Sequence, residues 1–276
     1  MRDDHESNDV EMILSRCNQN KTAQITNLID GKGRLGTSKN FSCLLEHAVS
    51  DYVMFCDQDD VWLPHKIDAT LEKMQQLEKM HGKQTPLLVH TDSTVVDKDL
   101  KLIAESLWAH QNIQPKTREV FNRLLVQNIV TGCTVMINRA LRDLAMPIPE
   151  NAIMHDWWLA LVASAFGKIG HLDQQTMLYR QHESNAIGAQ NWNIPFVMKN
   201  MFGNDGRVRE GIENAQKQSR AFLERYASQL PDDVRMVVEC YATLKEKPYL
   251  EKIYLLLKYR LFKAGVVRNL GFWVHI

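Results

Sequence analysis

Three carboxylates lie close together in segment 52–62. Asp57, Asp59 and Asp60 follow five residues of strong β preference, and an apolar run of that length before a turn predicts a buried central strand. Open α/β sheets bind their ligands just beyond the carboxyl ends of such strands. Because packed acids repel one another unless a cation neutralises them, the segment predicts a divalent-metal site. The alternative is a solvated acidic turn that caps a helix beginning near Pro64.

The surrounding pattern predicts the elements that position this segment. Up to about residue 188, candidate strands alternate with amphipathic helices, which favours a largely parallel sheet flanked by helices. From Asn193 onward the apolar period is helical and shows no clear strand. The further candidate strands are 24–29, 86–92, 131–137 and 169–179, and the candidate helices nearest to them are 64–80 and one that opens at 153. The sequence therefore predicts an α/β domain followed by a helical extension.

Composition and charge are those of an ordinary globular protein. Apolar residues make up 45% and charged residues 24% of the 276 residues, and the formal net charge is zero. This balance leaves no electrostatic footprint for nucleic acid, so no nucleic-acid partner is predicted. Five cysteines without a Cys-x-x-Cys pair indicate reduced thiols. Since we find neither a signal peptide nor a run of about 18–20 apolar residues, we expect a cytoplasmic protein.

Three motifs, in one order along the chain, resemble a known enzyme family. They are Asp57-Gln-Asp-Asp-Val-Trp62, His155-Asp-Trp-Trp158 and Tyr179-Arg-Gln-His182, the last followed by Asn185. Together they resemble the inverting family-2 glycosyltransferases. The resemblance is closest to the rhamnosyltransferase-like bacterial group that builds surface polysaccharides.

Two further matches extend the resemblance toward the N-terminus. Asn40 fits a family pattern ahead of the acidic strand, and Asp3-Asp4 resemble the family's Asp-Asp-x-Ser-x-Asp turn. The resemblance covers roughly residues 1–190 and implies a GT-A domain there, with a mixed, mostly parallel sheet flanked by helices. Residues 191–276 would form a helical C-terminal extension.

The resemblance implies a reaction and a cofactor. The reaction is transfer of a sugar, with inversion, from a nucleotide-diphosphate donor to a hydroxyl of a glycan or lipid-linked acceptor, and rhamnose is the sugar that the group suggests. Mg²⁺ or Mn²⁺ held by Asp59 and Asp60, with His182 as a third ligand, would stabilise the leaving diphosphate. Inversion needs a base opposite the leaving group. Asp156, at a predicted helix start, is the candidate.

The same resemblance assigns further residues to substrate or nucleotide contacts. Asp57 would orient the acidic loop or contact the ribose, and Arg180 would neutralise diphosphate charge. Trp157 and Trp158 would form an apolar wall for the sugar or acceptor, with core packing as the alternative for one of them. The remaining candidates for such contacts are Asp3, Asp4, Asn40, Asp92 and His155. For Asp92 the alternative is a strand-end acid that caps a turn.

Two other functions remain open. The run 53–61 also matches the nucleophile strand of haloacid-dehalogenase-like phosphatases, in which Asp57 would be the covalent nucleophile and Asp59 the acid. That class normally begins with this strand and has a later pair of metal-binding acids, and the chain shows neither. The second alternative is an inactive, shortened GT-A remnant that acts as a binding subunit.

The N-terminal residues lead to one more expectation. In the family that the chain resembles, a first strand, a helix and a second strand precede the Asp-Asp turn, whereas here Asp3-Asp4 stand almost at Met1. A sheet that lacks its first strand exposes an unpaired edge. We therefore expect a shortened protein that binds nucleotide sugars weakly or not at all.

Segment 248–276 is both basic and apolar. Apolar side chains such as Leu256 and Leu257 alternate there with Lys252 and Lys258. A basic helix with aromatic residues can lie in the headgroup layer, where anionic lipid adds about 1 kcal/mol per cation. We expect peripheral contact with the inner face of the plasma membrane, close to a lipid-linked acceptor. Packing against its own domain, or against a second copy in a homodimer, is the alternative.

Overall fold

The computed structural model describes residue 2 and residues 25–115, 120–181 and 206–276. Within these ranges the chain forms a mixed β-sheet with helices packed around it. The predictions for Asp3, Asp4 and His182 lie outside the described residues, as does the motif residue Asn185.

Six strands of the described ranges form one sheet. They are β1 (Tyr52–Met54), β2 (Val61–Trp62), β3 (Leu87–Val96), β4 (Leu102–Ala104), β5 (Val135–Asn138) and β6 (Lys168–Arg180). Their order is β1-β5-β3-β6-β2, and β4 pairs with β3. Strands β3 and β6 pair in parallel and the other pairs are antiparallel, so β1, β3 and β6 point in one direction. The predicted mixed sheet flanked by helices is confirmed. The expectation of a mostly parallel sheet is wrong for the described strands, because four of their five pairings are antiparallel.

Strand β3, and not β1, occupies the centre of this sheet. Nine of its ten residues are buried, whereas the three residues of β1 are half-buried and stand at one end of the strand order. Among the strands that the structure describes, the prediction of a buried central strand before the acidic loop is therefore wrong about its position. An apolar run indicates burial but not a strand's place in a sheet. Strand β3 is less conspicuous because its buried run 90–93 is polar and relies on hydrogen bonds such as Thr91 to Thr176.

Two other candidate strands differ from expectation. Residues 25–30 have no regular secondary structure, because no other described segment pairs with them and a strand needs such a neighbour. The predicted strand 131–137 begins as a tight 3₁₀ turn at Gly132–Thr134 and only then enters β5. The turn matters for the site because it carries Cys133.

Ten α-helices surround the sheet in the described ranges. Before residue 182 they are α1 (Thr37–Glu46), α2 (Lys66–His81), α3 (Leu107–Gln111), α4 (Val120–Val126), α5 (Arg139–Ala145) and α6 (His155–Phe166). After residue 205 they are α7 (Arg207–Tyr226), α8 (Asp232–Ala242), α9 (Tyr249–Lys258) and α10 (Val266–His275). The predicted helical C-terminal region is thus present. None of these helices has the length and apolar character needed to cross a membrane.

Helix α6 lies within one continuous core. The ring of Trp158 is fully buried and packs 5.6 Å from that of Phe222 and 6.1 Å from that of Tyr226, both on α7. Phe166, at the end of α6, lies 5.0 Å from Tyr226. Each fully buried side chain of this size stabilises the fold by roughly 1.5–3 kcal/mol. Residues on both sides of the boundary predicted near 190 therefore share a core.

Hydrogen bonds also tie the C-terminal helices to the segment that follows α4. The side-chain oxygen of Gln127 accepts from the backbone N–H of Ala264 at 2.6 Å. The side chain of the next residue, Asn128, donates to Asp156 at 3.2 Å. Neighbouring residues of one short segment thus contact both the C-terminal region and the start of α6.

Candidate functional site

The acidic loop is held between β1 and β2. A turn at residues 58 and 59 follows β1, and Val61 then pairs with Leu178 of β6. The backbone N–H of Arg180, at the end of β6, donates to Oδ1 of Asp60 at 3.1 Å. These contacts fix the end of the loop against the longest strand of the sheet.

Potential metal ligands meet at Asp57, Asp60 and Cys133. One ligand atom of each residue lies within 4.8 Å of those of the other two. The turn accounts for the two acids, because positions i and i+3 of a turn approach each other. Asp59 lies inside the turn and is not part of this group. This set of three residues, the ligand group, therefore contains Asp57 and not the predicted Asp59 beside Asp60.

The charges and donors of this group fit a divalent cation. Burial, followed by the charges of Asp60 and Asp59, raises the pKa of Asp57 to about 6. Burial also raises the pKa of Asp60, and the hydrogen bond from the Arg180 N–H opposes that rise. Oδ2 of Asp60 is buried without a hydrogen-bond partner among the described residues. A cation bound there would relieve the repulsion between the acids and provide a partner for Oδ2.

The turn Gly132–Thr134 is a part of the site that sequence reasoning missed. It positions Cys133, which is 3% exposed, beside the two acids. A Cβ atom at Gly132 would lie 3.1 Å from Nε2 of His155 and 3.3 Å from Oδ2 of Asp156. The absence of a side chain thus allows the turn to approach the start of α6. An isolated glycine in a strand pattern often marks such an approach, so Gly132 is the one residue from which the sequence could have indicated this turn.

Asp156 is a buried carboxylate with fixed partners. It is 6% exposed, in the first turn of α6. Its Oδ1 accepts from the side chain of Asn128 at 3.2 Å and from the backbone N–H of Trp157 at 2.6 Å. Burial raises the pKa of Asp156 to about 7, against the backbone hydrogen bonds of Trp157 and Gly132 and with a contribution from the charge of Asp57. A carboxyl group with this pKa can accept a proton near neutral pH.

His155 is packed among aromatic rings next to this carboxylate. Its ring lies 4.5 Å from that of Phe41 and 4.8 Å from that of Phe55. Burial lowers its pKa to about 4, so the imidazole is neutral at pH 7. Neither ring nitrogen has a hydrogen-bond partner in the described part of the chain. The predicted substrate contact of His155 stays a prediction.

The two tryptophans of the motif have different surroundings. Trp157 is half-buried, and its indole N–H donates to the carbonyl of Leu124 at 2.5 Å. Trp158 is fully buried, and its indole N–H donates to the carbonyl of Ala145 at 3.1 Å. The prediction that Trp158 contacts substrate is wrong, because its ring is enclosed by the aromatic core of α6 and α7.

Asp92 is also a structural residue. Its Oδ1 accepts from the backbone N–H groups of Ser93 and Trp108, and its Oδ2 accepts from the side chains of Ser106 and Gln175. The carboxylate thereby anchors the start of α3 to β3 and is only 4% exposed. The predicted substrate contact of Asp92 is wrong, since its oxygens are occupied by these four donors.

Asn40 and Arg180 contact groups other than those expected. Oδ1 of Asn40 accepts from the buried guanidinium of Arg2 at 3.2 Å, and Arg2 also pairs with Asp30 at 3.1 Å. The guanidinium of Arg180 donates to the carbonyl of Lys98 at 3.4 Å, while its backbone N–H holds Asp60. The nucleotide contacts predicted for both side chains stay predictions.

Lys66 is a second feature that the sequence pattern did not reveal. It is fully buried, and its ammonium group lies 3.3 Å from Oγ1 of Thr176 and 5.0 Å from the centre of the Trp62 ring. Burial lowers the pKa of Lys66, whereas the neighbouring Cys133 and Asp60 raise it. A buried ammonium group therefore offsets part of the negative charge of the ligand group.

Comparisons with known proteins identify the family of the chain. The family model described as glycosyl transferase family 2 matches residues 2–144. The chain is 27% identical over 212 residues to the dTDP-rhamnosyl transferase RfbG of Shigella flexneri, in an alignment that covers 72% of this chain and 63% of that protein. It therefore spans less than two thirds of this relative. The crystal structure of S. aureus TarS 1-349 in complex with UDP-GlcNAc matches with a TM-score of 0.43 and 15% identity, over 94% of this chain and 69% of that chain.

Proposed function

Because the chain belongs to glycosyl transferase family 2, we propose that it transfers a sugar from a nucleotide-diphosphate donor to an acceptor hydroxyl, with inversion. The observation that carries this proposal is a buried carboxyl group with a pKa of about 7, Asp156, whose pKa is raised in part by the charge of Asp57 in the ligand group. Such a pair of sites would provide a proton acceptor close to a binding group for a diphosphate. The similarity to a dTDP-rhamnosyl transferase supports dTDP-rhamnose as the donor.

Each described residue of the site has a role in this proposal. Asp57, Asp60 and Cys133 would hold Mg²⁺ or Mn²⁺, which when bound would neutralise charge on the leaving diphosphate. Asp156 accepts the proton of the acceptor hydroxyl as it attacks the sugar. Asn128 and the N–H of Trp157 hold Oδ1 of this carboxylate and so orient it.

The phosphohydrolase alternative is not favoured. The glycosyl transferase match covers the acidic loop and continues to residue 144, and a transferase accounts for Asp156 as well as for the acids. In a dehalogenase-like enzyme, Asp57 would attack phosphate and Asp156 would have no assigned task. If the protein released phosphate from p-nitrophenyl phosphate, and if Asp57→Asn abolished that release, the phosphohydrolase alternative would be favoured instead.

A donor titration tests the proposal directly. With Mn²⁺ present, dTDP-rhamnose should raise the thermal unfolding temperature more than UDP-GlcNAc or dTDP-glucose at equal concentration, because only the matching donor fills both the nucleotide and the sugar sites. Omission of Mn²⁺ is the control and should remove most of the shift. Absence of any shift with all nucleotide sugars would contradict the proposal. Micromolar affinity would contradict only the sequence-based expectation of weak binding.

The C-terminal helices support a proposal about location. Helix α9 exposes Leu250, which is 81% accessible, and Tyr254, and α10 exposes Val266, which is 75% accessible, and Leu270. The first helix of the basic segment, α9, ends at Lys258.

The cations of this region divide into two groups. Lys263 and Arg268 turn inward, where burial lowers their pKa values to about 8 and about 10. Lys258 and Arg260 remain exposed beside the apolar side chains. We propose that this surface binds anionic lipid, which complements its charge and accepts its apolar residues.

Co-sedimentation with vesicles checks the lipid surface. The protein should pellet with phosphatidylglycerol-containing vesicles and stay in the supernatant with neutral ones. The double variant Leu250→Glu, Val266→Glu should lose at least about tenfold in partitioning, because each substitution removes apolar contact and adds repulsion. Met236→Glu, at an apolar residue of α8 that is 49% exposed, is the matched control and should pellet normally. Equal pelleting of both variants, or none by the unmodified chain, would refute the surface.

A further inference from the structure

The ligand group contains one sulfur atom. Sγ of Cys133 lies within 4.8 Å of a carboxylate oxygen of Asp57 and of one of Asp60. Cys133 is 3% exposed and lies on a 3₁₀ turn whose shape is held by the bond from Thr134 Oγ1 to the carbonyl of Thr131 at 2.7 Å. The sulfur atom therefore lies beside the acids as part of the folded structure.

The donor set decides which cations bind well. Mg²⁺ takes oxygen ligands and demands near-ideal octahedral geometry, whereas thiolate donors favour the softer cations of the transition series and zinc. Two carboxylates and one thiolate are a mixed set that Co²⁺ and Zn²⁺ accept better than the oxygen-preferring Mg²⁺ and Mn²⁺ do. An all-oxygen site built from Asp59 and Asp60 would have had no such preference for sulfur-binding cations.

We infer that Cys133 binds the metal of this site through its thiolate, together with Asp57 and Asp60, and so selects Co²⁺ or Zn²⁺ over Mg²⁺. The inference deepens the proposed function, since it concerns the metal of the same site. On binding, the S–H bond breaks, the sulfur–metal bond forms, and the proton passes to solvent, so each thiolate formed releases one proton. No oxidant or reductant takes part.

Two neighbours make this ligation consistent with its surroundings. Burial and the charges of Asp60 and Asp57 raise the pKa of the Cys133 thiol, and the buried ammonium group of Lys66 opposes that rise. The thiol therefore loses its proton only together with the binding of a cation. Oδ2 of Asp60, which is buried without a partner in the described ranges, is available to the same cation. The exposed Cys56 is next to Asp57 in the chain but is not a member of the group.

Cobalt absorption tests the inference without a nucleotide sugar. Titration of Co²⁺ alone into the reduced protein should produce the near-ultraviolet charge-transfer band that is typical of a thiolate–Co²⁺ bond, with release of one proton per bound ion. Cys133→Ser should lose the band and bind Co²⁺ at least about tenfold more weakly, since even indirect support of a ligand contributes 10–100-fold in affinity. Its affinity for Mg²⁺ should change less than about threefold.

The controls separate the possible outcomes. Cys56→Ser removes a nearby exposed thiol and should keep the full band. A folded Cys133→Ser protein, verified by circular dichroism, that retains the band would overturn the inference, as would a missing band in the unmodified protein, whatever the fate of the variant. A band without any sugar transfer would leave the inference intact and defeat the proposed function. If transfer proceeds with Mg²⁺ as well as with Mn²⁺ and no band forms, the proposed function stands and the inference about Cys133 fails.

Discussion

Asp156→Asn is expected to abolish sugar transfer and, at pH 8, to make the folded protein more stable. Loss of a positioned base costs about 10²–10⁴-fold in rate, and asparagine cannot accept the proton. Donor binding should remain, because Asp156 is outside the ligand group. The measurement is kcat for transfer alongside donor affinity in the same preparations. Transfer above about a tenth of the unmodified rate would remove Asp156 as the base.

The gain in stability follows from the sign of the pKa shift. Burial raises the pKa of Asp156 from 3.8 to about 7, so the folded state favours the proton more than the unfolded state does. Protonated Asp156 therefore contributes to the stability of the folded protein, and this contribution is fully present below about pH 4 and is lost as the pH rises through about 7.

The neutral asparagine avoids this loss, and we expect the variant to be more stable by about 1–4 kcal/mol at pH 8. The lower limit of this range allows for repulsion between the side-chain N–H of the asparagine and the backbone N–H of Gly132, which donates to Asp156 in the unmodified protein. Urea unfolding at pH 8 and at pH 5 measures the difference, which should shrink at the lower pH. A variant that is less stable at pH 8 would contradict the burial argument. In the unmodified enzyme, transfer should rise with pH through about 7, as this carboxyl group loses its proton.

Asp60→Asn should remove most metal-dependent donor binding while the loop keeps its shape. Oδ1 of the asparagine can still accept from the N–H of Arg180, as Asp60 does at 3.1 Å, whereas the charge that holds the cation is gone. We expect donor affinity in Mn²⁺ to fall on the order of 10–100-fold. Calorimetric titration of dTDP-rhamnose, with Mn²⁺ and with a chelator, measures the loss.

Asp59→Asn is the matched control for this experiment. Asp59 carries the same charge in the same loop but is outside the ligand group, so its variant should weaken binding by less than about fivefold, the effect expected of a neighbouring charge. If Asp59→Asn instead matches Asp60→Asn, and Asp57→Asn has little effect, the original assignment of Asp59 and Asp60 as the metal pair is correct.

The sequence indicated the main parts of the site because their residue types are unusual in their positions. Acidic residues directly after an apolar run, and Asp156 at the start of a helix, are unusual placements that a functional role explains. Cys133 could not be found in this way, because a cysteine in an apolar segment has the pattern of an ordinary core residue. Its proximity to the acids depends on the non-local pairing of β1 with β5.

The errors have related causes. A motif predicts substrate contact for Trp158 and a strand end predicts it for Asp92, but neither position determines the direction of a side chain. Trp158, two residues after Asp156 on α6, faces another side of the helix, and α7 covers that side with Phe222. Strand β3 was underestimated because its polar residues are buried by partners such as Gln175, which lie far away in the sequence.

The contacts of Gln127 and Asn128 bear on how freely such a protein could be recombined. Gln127 accepts from Ala264 in the helical end, and Asn128 donates to the carboxylate of Asp156. The two residues are consecutive, so a displacement of one moves the other through a single peptide unit. A hybrid that took its residues after 206 from a relative would have to present a donor where Ala264 now stands. The helical end is therefore not an interchangeable module: the path of its backbone and the alignment of Asp156 constrain each other.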